Sequence, residues 1–222
     1  LVLDASGNVP GNLTISGNGT VFADGNGRLS PGANVTVNST GITVNGQAQP
    51  GLLLLNATQT IAQLDGTGTV GLAGSELTVG AGAFSGAIGD SPAFSVTPGS
   101  LVKAGTGSLT LSGGNTYTGS STVAVCTLRA GAANTFSAAS AHTVAADATL
   151  DLAGFSQSMA SLSNSGTVSL VGGTAGTTLT VTGPYVGNNG TLRLGTVLGT
   201  SGPSDRLVLD GPTAVASRRT TV

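Results

Sequence analysis

The amino-acid sequence predicts an all-β fold, and within that class a β-solenoid. Three observations carry the reading: very short runs alternating aliphatic with small or polar residues, Gly, Asn or Asp between the runs, and a gapless internal similarity. Of the 222 residues 39% are hydrophobic, enough for a buried core, while only 7% are charged, against roughly 25% in an average soluble domain. The surface is therefore built of Thr, Ser, Asn and Gly. A net charge of −2 with scattered basic residues excludes the clustered Lys and Arg of a nucleic-acid-binding protein. One cysteine, Cys126, excludes an internal disulfide framework and a multi-cysteine zinc site, and it reads as a small buried hydrophobe. No basic start followed by an apolar stretch marks a signal peptide here, and the longest apolar run, Leu52–Leu55, is far short of a bilayer span. The segment is expected to be soluble.

Helix signals are poor, because Gly and β-branched residues interrupt every window and apolar residues do not recur at spacings of three and four. Strands are expected instead at LTI 13–15, VTV 35–37, ITV 42–44, LTV 77–79, LTL 109–111, VAV 123–125, LTVT 179–182 and TLRL 191–194. Runs this short do not make a hairpin protein by themselves, but they stack when each coil hydrogen-bonds to the next and buries its aliphatic pair against the same pair above. Internal similarity supports stacking: TQTIAQLDGTGTVGL at 58–72 aligns on SQSMASLSNSGTVSL at 156–170, matching Gln59 with Gln157, Ala62 with Ala160 and Leu64 with Leu162. NLTISGNGTV at 12–21 repeats the same strand, Gly turn, strand order. Gly and Asn at the corners supply the positive φ that turns need. With one coil per 20-odd residues and roughly 4.8 Å between coils, about ten coils make a rod on the order of 45 to 50 Å. An antiparallel sandwich also has short strands, but it demands cleaner spacing and hairpin dipeptides at its turns, so the solenoid is preferred.

LVKAGTGSLTLSGGNTYTGSSTVAVCTLRAG, at 101–131, resembles the passenger-associated repeat of bacterial type V autotransporters. The usual form is a Lys-x-Gly-x-Gly start, a Leu-Thr-Leu strand, then Asn-Thr-Tyr-x-Gly and a final strand. Those positions are Lys103, Gly105, Gly107, Leu109, Thr110, Leu111, Asn115, Thr116, Tyr117, Gly119, Val123 and Leu128. Cys126 stands where the family most often has Gly, so a less regular turn before Thr127 is expected. The stretches at 75–89 and 141–170 look like the segments that usually flank this repeat, and 178–211 resembles the start of the pertactin-like autochaperone region. Its best-recognised positions are Ser204, Asp205, Arg206, Leu207, Asp210 and Gly211. Residues 1–74 match in texture only. After Gly211 the pattern fails, with Arg218 and Arg219 where an inward strand is expected, which suggests a cut domain.

The resemblance implies a right-handed parallel β-helix, exposed on the bacterial surface or secreted after passage through the outer membrane. Three parts are expected: weakly repeating coils at 1–100, the repeat and its following coils at 101–177, and a partial autochaperone region at 178–222. The implied role is a non-enzymatic stem, with no cofactor or metal, that presents a distal region and assists passenger folding and secretion. Implied partners are the C-terminal outer-membrane β-barrel of the same polypeptide and neighbouring passengers or host surface glycans, with no nucleic acid. Leu109, Leu111, Val123 and Leu128 are expected to point inward, Asn115, Tyr117 and Gly119 to form a corner, and Asp205, Arg206 and Asp210 to belong to a C-terminal cap.

Sites of chemistry are weak by comparison. GDSP at 89–92 has a serine-protease flavour, yet Pro92 replaces the Gly needed for the oxyanion turn, so Asp90 and Ser91 read as a plain turn. The sole histidine, His142, with Asp147 suggests a dyad, but a half-exposed loop histidine is the simpler expectation. ADGNG at 23–27 has one carboxylate, too few for calcium, and reads as an Asx turn. Asp147 and Asp151, with Arg129 nearby, are the only candidates for an acidic polysaccharide-cleaving groove, and they read as solvated turn residues. The Asn-x-Ser/Thr sequons at Asn12, Asn18, Asn34, Asn38, Asn56 and Asn189 are what an Asn/Thr-rich surface produces, and no glycan is assigned. An adhesin and a polysaccharide-active enzyme remain as alternatives to the stem.

Overall fold

A computed structural model describes residues 2–3, 9, 11–17, 19–25, 29–44, 47–91, 97–173, 175–197 and 202–211. Asn18, Pro92, residues 26–27 of the 23–27 turn and the Arg218–Arg219 pair, all singled out above, lie outside them. The described elements are β-strands, and they stack in parallel as a β-solenoid of about seven turns.

Three faces run along the solenoid. On the first, an inward column passes Gln59, Leu77, Leu101, Ser121, His142, Leu162 and Tyr185, each the register partner of the next. On the second, Gly82, Leu109, Leu128, Leu150, Val168 and Leu192 stack in the same way. On the third, Val21, Leu53, Val70 and Ile88 form one column, and Met159, Val181 and Leu209 another further along. Period-two alternation decides which residues enter: Ser100–Lys103, Ser120–Val123 and Thr178–Val181 each bury their second and fourth residues. Parallel register then sets like on like, and each buried Leu or Val contributes about 1.5–3 kcal/mol.

Several expectations are corrected. The ten coils expected become about seven turns, because turn length varies from 17 residues (Leu53 to Val70) to 32 (Val21 to Leu53). The longest turn contains Ser39–Val44 and Gln47–Pro50, which pair antiparallel, so ITV 42–44 sits in an inserted hairpin rather than in the stack. The strand expected at 123–125 ends at Val123, and Val125 is exposed on a corner. That at 191–194 ends at Arg193. The gapless similarity does not mark a whole number of turns, since Gln59 stands in the first column above while Gln157 pairs with Leu179 on the third face. What repeats is a local strand, bend, strand, corner unit, displaced by one face.

Candidate functional site in the repeat and its buried polar seam

Lys103 enters the core because it keeps phase with Leu101, and its backbone lies between Val79 and Val123 in the stack. Its side chain is fully buried, and Nζ donates to the carbonyls of Ala104, Gly105 and Val125 at 2.7, 3.1 and 3.3 Å. Those bonds cap a corner where the chain leaves the first face. Burial lowers the ammonium pKa, and the neighbouring Cys126 acts the other way. Gly105 takes φ 75° at this corner. Cys126 adopts φ 56°, so the position usually held by Gly keeps its left-handed turn in this chain, at a cost to the cysteine instead of an irregular turn. Leu109, Leu111, Val123 and Leu128 all point inward and are buried. Gly107 packs against Ala81, and a side chain at Gly119 would strike the Gly99 carbonyl.

On the third face the backbone ladder is interrupted between Ala87–Gly89 and Gln157–Met159, which belong to separate sheets of five and three strands. Two backbone bonds cross the gap, Thr116 N–H to the Ile88 carbonyl at 2.8 Å and Asn134 N–H to the Ser156 carbonyl at 3.0 Å, and side chains bridge the rest. Asn115 accepts from the Ile88 N–H at 2.8 Å and donates through Nδ2 to the Thr135 carbonyl at 2.6 Å. Gln157 Oε1 accepts from the N–H groups of Thr135 and Phe136 at 2.9 and 3.0 Å, and its Nε2 donates to the Ala132 carbonyl at 2.7 Å. Thr135 Oγ1 donates to the Gly113 carbonyl at 2.7 Å, Ser137 Oγ to Tyr117 at 2.6 Å and Ser140 Oγ to Gly119 at 2.5 Å. The Tyr117 hydroxyl meets Ser121 Oγ at 2.7 Å, and Ser121 meets Ser140 at 3.0 Å. Burial pushes the Tyr117 phenol up to about 12, the Ser121 bond opposing it. Buried polar groups are mostly paired, and here side-chain pairing supplements a ladder reduced to two backbone bonds.

His142 overturns its expectation of a half-exposed loop residue: it lies in strand Ala141–Val144 at 2% exposure, in phase with buried Val144. The Ser140 carbonyl, an acceptor only, lies 3.0 Å from Nδ1, so Nδ1 carries the proton, and Nε2 is buried without a partner. Phe136 tilts against the ring with centroids 6.1 Å apart. Burial lowers the imidazole pKa to about 4 against the Ser140 bond. Asp147 is exposed in a turn of φ 64° and makes no dyad with it.

The other acids are engaged structurally. Asp90 accepts from the N–H of Gly99 at 2.8 Å and from the Thr118 hydroxyl at 2.7 Å. Asp151 pairs with the half-exposed Arg129 at 2.9 Å and accepts from Ala153 N–H. Asp24 accepts from Asn56 Nδ2 at 3.2 Å. Among the described residues, no three of His, Cys, Asp and Glu gather as a metal site.

Toward the C-terminal end, Asp205 is buried and gathers two loops. Its Oδ1 accepts from the N–H groups of Gly176 and Thr177, both at 2.8 Å, and Oδ2 from Gly195 at 2.7 Å. Burial works to raise this carboxyl, and the N–H donors of Gly195, Gly176 and Thr177 outweigh it, holding its pKa below the usual value. Ser204 meets Thr196 at 3.0 Å and Arg206 Nε donates to Thr178 Oγ1 at 3.1 Å, both on the surface. Leu207 is half-buried on Leu179, Asp210 is exposed and donates its N–H to the Val181 carbonyl, and Gly211 packs on Thr182.

Sequence reasoning did not single out Ser121, Thr135, Ser137 and Ser140, and gave Gln157 no role beyond a repeat match. One signal was available for Ser121 and His142: each stands two residues before an inward valine.

The family described as passenger-associated-transport-repeat matches residues 101–130, the span that holds the buried Lys103, the Asn115 bridge and the Gly119 contact. The chain is 33% identical over 199 residues, 89% of its length, to a protein of Brucella suis biovar 1 (strain 1330) called adhesin BmaC autotransporter. It spans about 5% of that relative. No solved structure matches the chain. With its parallel β-solenoid and this repeat, the chain is similar to a segment of an autotransporter passenger, the part of such a protein that is surface-exposed or secreted.

Proposed function

We propose that the segment is the β-helical stem of its passenger, non-enzymatic, holding a more distal region away from the membrane and helping the passenger fold during export. The observation that carries this is the first face, whose register runs from Gln59 to Tyr185 in seven strands without a break. Such a column transmits position along its axis and folds coil by coil on a finished neighbour. Against catalysis stand the burial of the sole histidine and the structural engagement of Asp90 and Asp151. In this reading the repeat residues and the Asp205 group are structural, 178–211 has the autochaperone role, and the partner is an outer-membrane β-barrel of the same polypeptide.

A second reading is adhesion, favoured by the name of the Brucella relative, with neighbouring passengers or surface glycans as ligands. The two separate on one experiment. Removing 75–186 in frame from the complete protein, expressed on its native cell, is expected to lower the amount of protease-resistant passenger at the surface. Full surface display with loss of cell or glycan binding supports adhesion and rejects the stem.

A further inference from the structure

On the outward side of the second face, Arg129, Asp151, Ser169 and Arg193 stack as successive register partners. They line a shallow groove of about 330 Å³, to which Thr149 and Val171 also contribute. Among the described residues, Lys103 is buried and Arg206 is bonded to Thr178 on the third face, so the two remaining cations, Arg129 and Arg193, both belong to this groove.

The fold leaves much of this column unused. Arg193 is exposed, and its guanidinium makes no ion pair or hydrogen bond among the described residues. Ser169 lies on the groove at only 8% exposure, and its hydroxyl has no partner among the described residues. A nearly buried hydroxyl without a bond is a cost that a ligand would recover. Arg129 spends only Nη1 on Asp151, 2.9 Å away, leaving the rest of a half-exposed fork open. Asp151 is fixed by that bond and by the Ala153 N–H at 2.9 Å, and its oxygens keep lone pairs for further donors.

The order of charges selects the ligand. Arg129 and Arg193 stand three strand spacings apart, roughly 14 Å, and between them lie a carboxylate and a hydroxyl. A polyanion charged at every unit would set an anion against Asp151. A sugar chain with acid groups spaced apart instead sets hydroxyls there, which donate to Asp151 and bond Ser169. A pyranose unit in an extended chain advances by close to the strand spacing, roughly 4.8 Å, so neighbouring sugars meet successive side chains. Thr127, Thr149, Thr167 and Thr191 run beside the column as an uncharged bed, and Val171, 44% exposed, offers an apolar contact to ring C–H groups. No aromatic side chain among the described residues lines the groove, so nucleic-acid bases have no stacking platform.

We propose that the groove along Arg129, Asp151, Ser169 and Arg193 binds acidic oligosaccharide chains laid along the solenoid axis. Arg193 pairs with a sugar carboxylate, Ser169 and Asp151 bond the hydroxyls of neighbouring sugars, and Arg129, held by Asp151, donates to the chain at the far end. Asp151 is the one carboxylate among the described residues lining the groove, and glycoside hydrolysis uses a pair, so the site holds the chain without cutting it. The proposal rests on the adhesion reading, whose ligand it narrows, and the stem reading does not depend on it.

Titration of a hyaluronan hexasaccharide, which carries a carboxylate on alternate sugars, into the 222-residue chain tests it by amide NMR at about 150 mM salt. Saturable shifts centred on Asp151, Ser169 and Arg193 are expected. Arg193→Gln is expected to weaken binding about tenfold and Ser169→Ala about threefold, while Arg206→Gln on the third face leaves it unchanged. The neutral chitin hexasaccharide should bind about tenfold more weakly than hyaluronan. Absence of saturable shifts at these amides overturns the proposal, as does an equal loss in Arg206→Gln or equal binding of the chitin hexasaccharide. Binding of oligoglutamate as tight as that of hyaluronan also overturns it, because the groove would then attract anions without reading sugar. Arg193→Gln in the complete protein on its native cell separates the site from the adhesion reading. Cell attachment by a protein whose groove fails to bind hyaluronan rejects the site and leaves adhesion standing. A groove that binds hyaluronan, with attachment unchanged by Arg193→Gln, keeps the site and rejects adhesion through it.

Discussion

The third face is held in two different ways on either side of the segment around residue 90. Before it, Thr20–Ala23, Leu52–Leu55, Thr69–Gly71 and Ala87–Gly89 form a plain parallel ladder over the aliphatic column of Val21, Leu53, Val70 and Ile88. Beyond it, across the repeat, the ladder gives way to Asn115, Thr135 and Gln157, and the adjoining first-face column takes in Ser121 and His142. The first arrangement tolerates any apolar residue of the right size. The second demands particular hydrogen-bonding groups at particular places, because a polar core with a missing partner is worse than an apolar one. The motif recognisable over 101–130 is found in the second region, while the likeness to the Brucella relative, 199 residues long, takes in most of the first region as well.

The largest expected effect ignores the distinction and sets the baseline. Leu53→Ala on one side and Leu150→Ala on the other each remove a fully buried side chain; each is expected to cost about 2–5 kcal/mol in urea unfolding. A loss under about 1 kcal/mol at Leu150 would mean that the repeat's core is not packed by its aliphatic column.

Acid should break the symmetry. His142 titrates near 6.5 unfolded and near 4 folded, so between those values the unfolded chain binds the proton and the native chain does not. Stability is therefore complete above pH 6.5 and falls as pH drops to 4, by about 3 kcal/mol. Urea midpoints at pH 7 and 4.5 measure it, and His142→Leu should flatten the slope. Asp205 contributes at lower pH, since its depressed carboxyl loses its stabilising contribution only as pH falls below the ordinary carboxylate range.

Asn115→Leu is expected to cost about 1–3 kcal/mol, because the Ile88 N–H and the Thr135 carbonyl lose their buried partner. An unchanged unfolding midpoint would show that backbone contacts hold this face alone. The smallest effect concerns Cys126 at φ 56°. Cys126→Gly should leave stability within about 0.5 kcal/mol or raise it, whereas Cys126→Val should lower it by about 1 kcal/mol, since a β-branched residue resists the left-handed region.

Short alternating runs disclosed the solenoid because parallel stacking needs only an inward pair per face and a turn residue per corner. Turn length was not readable, since an inserted hairpin such as Ser39–Pro50 carries the same Thr, Val and Gly texture as a coil. Nor was the face assignment: the similarity of 58–72 to 156–170 reflects a local bend and corner, which the fold uses on different faces. The polar seam escaped for a related reason. Ser121 and His142 follow the inward phase of Val123 and Val144, but in a chain so rich in Ser and Thr a hydroxyl carries no mark of burial, and only stacking brings Tyr117, Ser121 and Ser140 together. Lys103 was located through its motif, while its role as a buried cap for three carbonyls depends on the neighbouring turn supplying Val125.

The central claim is that side chains, where only the isolated backbone bonds Thr116 to Ile88 and Asn134 to Ser156 remain of the ladder, close the third face across the repeat. Residue-resolved amide exchange of the unmodified chain at neutral pH tests it most directly. The account predicts that the amides of Ile88, Thr135, Phe136 and Thr177 are protected to a degree comparable with the ladder amides of Leu101 and Leu128. Rapid exchange at Thr135 and Phe136 beside slow exchange at Leu128 would contradict it, because Gln157 would then not be bonding them in solution.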